Sequence, residues 1–407
     1  MQSGPRGYSF ALLAYSFAAI MLGTTLPSPM YGLYAEHLHF AVLTTTVIFA
    51  TYAGGVLFAL LAFGSWSDAI GRRPVLLAGT LCAIASAGVF LAAGSLPMLL
   101  FGRLLSGLSA GLFTGTATAA VIEAAPPHWR MRAPAVATVA NMGGLSSGPM
   151  MSGLLMQYAP EPLRLSFAVH IAMVVLAAAA VLVVPETSSR TGSIRLQRLS
   201  VPEQVRPTFI VAALAAFAGF AVFGLYASVA PALVAGIIGA SHYALAGLIT
   251  GSVFAASAVA QIFAVRIPPW RAVALGCALL VVGMAVLAGA LHFSSLLGLV
   301  AAAMVAGCGQ GISFSRGLAA VAESTPAQCR AEVGSAYFVA CYIAIALPVI
   351  GVGLAARAWG LRTGGMLFAL AVGVLAAFCL IAILRRESQT AEPDIAARGE
   401  PAIETRG

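Results

Sequence analysis

Charge is so scarce in this sequence that every ion near an apolar run is a candidate for chemistry. Asp, Glu, Lys and Arg make up 8% of the 407 residues; the 21 basic ones are all arginine, against 13 acids. Two arginines, Arg103 and Arg316, fall inside apolar runs. A guanidinium there costs about 2.5–3.5 kcal/mol on insertion scales unless it faces protein or water. Arg103 heads a stripe with Gly107, Gly111 and Gly115, which share one helical face and let another helix close on it. It stands near the outer end of its run, so snorkelling to the interface is the alternative use of its length. Arg316 lies two turns from Glu323, and the residue two hundred positions before it is Thr116. Such a lone ion gives a cavity a weakly positive element suited to a neutral, zwitterionic or anionic solute. Asn141, Gln261, Gln310, Tyr226, Tyr15 and Tyr337 are the other polar or aromatic candidates, as ligand contacts or as interhelical hydrogen bonds. Phe220 and Phe223 read as packing residues with direct solute contact as the alternative.

Other chemistries are excluded by what the runs lack. None of them contains Asp or Glu, which argues against an organic-cation site and against a membrane enzyme with acids clustered at one depth. Asp68, Glu36, Glu123 and His170 are the groups left to handle protons, and none is placed to be named the carrier. The six cysteines stand singly, without metal or disulfide spacing. With no lysine there is no phosphate-cradling Gly-Lys-Ser loop, and hence no direct ATP drive through that motif. Neither a metal nor a cofactor is expected. The net charge of +8 resides in arginines of short segments between apolar runs, a topology signal rather than a nucleic-acid surface.

The elements that must position these residues are membrane helices. Hydrophobic residues form 60% of the chain, and runs of about 20 residues without charge cross the hydrocarbon at about 1.5 Å per residue. Such runs lie at 8–28, 43–66, 74–94, 98–122, 134–156, 164–184, 208–230, 243–265, 272–291, 295–318, 333–355 and 363–384. Twelve spans predict an all-α membrane protein with both ends on one side, and the first run is expected to stay as a span rather than be removed as a leader. With that side cytoplasmic, sixteen arginines lie inside, only Arg164, Arg357 and Arg362 lie outside, and Arg103 and Arg316 lie in spans. The expected organisation is a six-helix bundle over 1–186, a cytoplasmic linker over 187–207, a second bundle over 208–384 and a disordered tail over 385–407. Within the linker, Leu196, Leu199 and Val201 alternate with Arg195, Arg198 and Arg206, which fits a short basic helix on the inner surface or a polar connector interrupted by Pro202.

A repeat relates the halves. Gly107, Gly111, Glu123, Pro126 and Arg130 return two hundred positions later as Gly307, Gly311, Glu323, Pro326 and Arg330. Parallel duplication of this kind sets two bundles about an axis along the membrane normal, with a cavity between them.

Two motifs remain. Between the second and third runs stands Gly64-Ser65-Trp66-Ser67-Asp68-Ala69-Ile70-Gly71-Arg72-Arg73-Pro74. Gly71 permits a tight reversal, Pro74 suits a first helical turn, and Asp68 is placed to cap that turn or to pair with an arginine. Gly64, Asp68, Gly71, Arg72 and Arg73 together read as a charge latch at the cytoplasmic helix ends. The fifth run carries Gly144-Leu145-Ser146-Ser147-Gly148-Pro149-Met150-Met151-Ser152-Gly153, where Pro149 predicts a bend and the small residues a tight seam.

On these motifs the chain resembles the major facilitator superfamily of secondary transporters over residues 8–384. The 64–74 loop is similar to that family's signature, with Ser67 in place of the usual Ala and Ala69 in place of an arginine, which removes one customary ionic contact. The corresponding loop of the second half, around Ala264 to Val273, has Pro268 where an acid would stand, so its latch is degenerate. Arg103 resembles the helix-4 arginine linked with proton coupling, and the fifth run resembles the glycine-proline signature of the exporter and antiporter branches. The resemblance implies a proton-coupled exporter of small organic molecules, a monomer in the cell inner membrane that works by alternating access. The alternatives are an importer or facilitator of an organic anion or sugar-like solute and, from another class, a receptor or scaffold.

Overall fold

The computed structural model of the chain describes residues 5–238 and 242–398. Every regular element among them is helical. Twelve long helices follow one another: α1 (Pro5–Thr25), α2 (Val42–Phe63), α3 (Arg72–Leu91), α4 (Leu96–Glu123), α5 (Ala133–Tyr158), α6 (Leu165–Val183), α7 (Arg206–Ser228), α8 (Tyr243–Ala264), α9 (Pro269–His292), α10 (Leu296–Ser324), α11 (Arg330–Trp359) and α12 (Leu361–Arg398). Prolines in the first turn start α4, α5, α7 and α9, where the missing N–H has no helical acceptor to lose. Gly71 ahead of α3 and Gly360 after α11 take φ of 111° and 88°, which only glycine adopts without strain.

Eleven helices among the described residues are long and apolar enough to cross a membrane. The expected fifth span is the exception. It exists as the 26-residue α5, but its Asn, Gly and Ser residues dilute its hydropathy, and its small faces are spent on other helices rather than on lipid. Of the two expected forms of the linker, one is seen. Residues 185–202 carry no helix, so the linker is a connector; its backbone is engaged by the first half, with Gly192 N donating to Asp68 O at 3.1 Å and Gln197 N to Leu61 O at 2.9 Å. α12 runs on past 385, where the tail was expected to begin, to Arg398. Residues 399–407 lie outside the described part.

In lipid, apolar contact between helices has no solvent to escape, so association rests on close fit of small residues. In the first half α1 packs on α5, α6 and α4, α2 on α4, and α3 on α4 and α6; in the second half α7 packs on α10, α11 and α12, α8 on α10, and α9 on α10 and α12. The repeat is visible atom by atom. Gly107 and Gly111 of α4 sit against Tyr52 and Val56 of α2, while Gly307 and Gly311 of α10 sit against Val253 and Ser257 of α8.

The halves meet through α5 with α8 and α2 with α11. Both seams come to backbone contact toward the end remote from the linker. A Cβ on Gly153 would lie 2.5 Å from Tyr243 O and 3.1 Å from Gly247 Cα, and one on Gly353 would lie 3.0 Å from Leu43 Cα. Ser146 Oγ also donates across the seam to Gly251 O at 2.9 Å. The far end is therefore shut, backbone against backbone.

Candidate functional site

Between the halves lies a cavity. Thr24 and Thr25 of α1, Phe49 and Tyr52 of α2, Thr114 of α4 and Asn141 of α5 form one wall; Phe220 and Phe223 of α7, Phe254 of α8, Phe314 of α10 and Tyr342 of α11 are among the residues of the other. Phe220 makes edge contacts with Phe314, ring centres 5.0 Å apart, so the second wall is a joined aromatic surface. It suits an apolar or aromatic body, while hydroxyls and one amide on the first wall supply the polar contacts.

The α5 proline sits beside this cavity. Pro149 has no N–H for the carbonyl of Leu145 four residues before it, and Thr25 Oγ1 donates to that carbonyl instead, at 2.8 Å. The irregularity is thus satisfied by a residue of the cavity wall. Gly144 and Gly148 bring α5 against Ala18 and Leu22 of α1, and Gly153 brings it against α8.

Arg103 is fully buried, at 0% exposure, so it does not snorkel. Its Nη1 donates to Thr24 O at 2.6 Å, and the guanidinium lies 4.7 Å from the Tyr52 ring centre and 5.3 Å from that of Phe49. Nε and Nη2 have no hydrogen-bond partner.

The remaining candidates separate into cavity and scaffold. Asn141 lines the cavity; Tyr226, Gln261, Gln310 and Arg316 do not. Tyr226 donates to Leu299 O at 3.2 Å, and Tyr15 to Met173 O at 3.0 Å, so both tie helices together. Tyr337 does the same toward Phe314 O at 3.2 Å. Gln261 Nε2 donates to Ser257 Oγ at 3.1 Å, and Ser257 to Gln310 Oε1 at 2.6 Å, a buried chain linking α8 to α10. Arg316 is half-buried, with Nε unpartnered. His170 is buried, its Nε2 3.2 Å from Ala19 O. Phe220 and Phe223, read as packing, are in the wall. Thr24, Phe49, Tyr52, Thr114 and Phe314 were not singled out, because an aromatic or threonine in an apolar helix carries no sign of which neighbour it faces.

The second cluster stands at the linker end. Arg72 Nη1 meets Asp68 Oδ1 at 2.6 Å and Nη2 meets Glu123 Oε1 at 3.0 Å; Nη1 also donates to Ser67 Oγ at 2.8 Å. The latch loop is thereby fixed to the end of α4, within the first half. Arg73 donates to the carbonyl of Leu182 on α6, and Gly64 closes α2. Asp68 pairs with an arginine rather than capping α3. The cap is Glu186, which accepts from Arg72 N at 2.8 Å and Arg73 N at 3.2 Å; it lies far from the motif in sequence and only the fold brings it there. The linker then reaches the second half through Gln197 Nε2, which donates to Ala331 O at 3.2 Å.

Burial pushes the Glu186 carboxyl up, but N–H groups of Ser188, Arg72, Arg73 and Thr187 outweigh it and hold the group below its ordinary value. Its stabilisation is then complete above the unfolded value of about 4.3 and is lost as pH falls through the lower folded one. Glu186→Gln is expected to cost about 1–2 kcal/mol at neutral pH, as loss of a cap does. Thermal melts of the purified protein should show the gap between wild type and variant narrowing below about pH 4. A gap that persists unchanged into acid would assign the stabilisation elsewhere.

No curated protein matches the chain in sequence. Among solved structures, a bacterial homologue of the human lysosomal transporter Spinster, in its inward-facing and unoccupied conformation, superposes with a TM-score of 0.73 at 14% identity, over 94% of this chain and 98% of that one. The xylose transporter XylE from E. coli, partially occluded and inward open, gives 0.69 at 14%, over 94% and 98%. The human organic anion transporter MFSD10 (TETRAN) gives 0.62 at 18%, over 93% and 100%. At these identities the likeness is one of fold. Residues 13–349 match the sequence profile of the Major Facilitator Superfamily. A cavity between duplicated helical bundles, a charged loop between the second and third helices and that match together place the chain in the Major Facilitator Superfamily of membrane transporters.

Proposed function

We propose that the chain is a twelve-span secondary active transporter, monomeric in the cell inner membrane, that exports small organic molecules by alternating access in exchange for protons. The observation that carries this reading is the cavity walled by both halves, with the seams between them in backbone contact toward the end remote from the linker. The arginine asymmetry supports cytoplasmic termini, and α5 then counts as a span that is shielded by α1 and α8. With the linker end cytoplasmic, the far seam is the external gate and the state is inward-facing. The glycine-proline pattern of α5, beside the cavity through Thr25, supports the exporter branch. Import or facilitated passage of an organic anion is the second reading, favoured by an acid-free cavity with Arg103 behind it.

Everted membrane vesicles test direction and coupling. A proton gradient, acidic inside, is expected to concentrate solute within them, and collapsing the gradient is expected to release it. Equilibration at the same rate with or without the gradient would favour the facilitator.

A further inference from the structure

We propose that the cavity takes its solute in uncharged form, as an aromatic compound whose polar group is read by the side-chain amide of Asn141. The inference rests on the transport reading of the same cavity and names the solute class. Its first observation is a lining without ions. Thr24, Thr25, Tyr52, Thr114, Asn141 and Tyr342 supply the polar side chains, and among the described residues no Asp, Glu, Arg or His lines either wall. The Arg103 guanidinium is held off this space: Nη1 donates to Thr24 O, and the rings of Phe49 and Tyr52, which do line the cavity, stand against it. An ionised solute would leave water for a wall that offers no counter-ion, a cost that a neutral group meets by hydrogen bonding alone.

The second observation is an amide left over. The glutamines of the second half are spent on the scaffold, since Gln261 Nε2 donates to Ser257 Oγ and Gln310 Oε1 accepts from the same hydroxyl. Asn141 lines the cavity from α5 and makes no hydrogen bond to another described residue. Its amide presents an acceptor and a donor side by side. A group that also both donates and accepts satisfies the two together. A carboxylate can only accept and an amidinium can only donate, so each would leave one Asn141 atom facing its like.

The rest of the lining fits the same class. Tyr52 and Tyr342 lie within Coulombic range of each other, so hydroxyl-bearing rings reach the space from both halves. Phe220 meets Phe314 at 5.0 Å and Phe223 meets Phe254 at 4.4 Å between ring centres, which gives an aromatic solute both faces and edges to pack against. A largely apolar pocket with few placed polar groups fixes orientation through those groups.

The test is competition against labelled naphthamide on purified full-length protein by three compounds of its shape. Acetylnaphthalene is neutral but lacks the donor, naphthoate is an anion and naphthamidine a cation. Wild type is expected to bind naphthamide roughly tenfold or more tightly than either ion. Over acetylnaphthalene the preference should be about threefold to tenfold, the worth of one hydrogen bond. Asn141→Leu, which keeps the volume and removes both polar atoms, should bring naphthamide and acetylnaphthalene within about twofold while both ions stay excluded. Naphthoate or naphthamidine bound by wild type as tightly as naphthamide needs no variant to interpret and would overturn the proposal, the first in favour of the organic anion. So would wild type that binds none of the four, or a monodisperse Asn141→Leu protein that keeps the full preference for amide over ketone. Flux in proteoliposomes separates the two readings. Naphthoate carried as fast as naphthamide removes the solute class and leaves transport standing, whereas selective naphthamide binding with no flux removes transport and leaves the solute class.

Discussion

Leucine at Gly153 is expected to cut solute flux roughly tenfold to a hundredfold while the protein still folds and inserts. Even a Cβ at this position would lie 2.5 Å from Tyr243 O and 3.1 Å from Gly247 Cα, both on α8. The far end of the α5–α8 seam then cannot shut, and the closed state loses population by about a factor of ten for each 1.4 kcal/mol of overpacking. Folding is spared because this contact lies between the halves and not within either one. Gly153→Ala should fall between wild type and leucine. Initial rates of counterflow in proteoliposomes, with size-exclusion profiles as the check on folding, read the effect. A leucine variant with wild-type flux would mean that seam closure is not part of the cycle.

Removal of the Arg72 side chain is expected to have the next largest effect, loosening the linker end by about 1.5–3 kcal/mol, the range of hydrogen bonds to charged groups. Its two ionic arms are unequal. Asp68 is 58% exposed, so that arm is screened by solvent and contributes little; Glu123 is 33% exposed and also accepts from Thr187 Oγ1 at 2.7 Å. Glu123→Gln should therefore reproduce most of the loss of thermal stability and of flux seen in Arg72→Ala, and Asp68→Asn little of it. The reverse order of the two acid variants in melts and flux assays would show that the loop is held from its exposed side.

The spans were legible because lipid imposes a length and an apolar composition on each, and the duplication because glycines that fix helix approach recur at constant spacing. Arg103 was legible as an ion out of place, though its burial against Phe49 and Tyr52 was not. The cavity walls could not be read. Phe220 stands in a helix that is apolar nearly all round, so no periodicity separates a residue facing the cavity from one facing lipid. Glu186 escaped for a different reason: its partners Arg72 and Arg73 are more than a hundred residues away in the chain. α5 shows the cost of reading hydropathy alone, since the composition that makes it a good seam makes it a poor apolar run.

Pulsed electron resonance on spin-labelled pairs at both ends of the molecule asks whether the cavity alternates. With Cys82, Cys277, Cys308, Cys329, Cys341 and Cys379 replaced, one pair joins Glu36 to His242, which border the same far-end recess from opposite halves. The other joins Met131 to Ala331, both exposed, at the linker end. Across a pH step, the far-end distance should lengthen in the same fraction of molecules in which the linker-end distance shortens. Two distances that stay fixed under every condition, or that lengthen together, would contradict a cavity opened by rocking of the two halves.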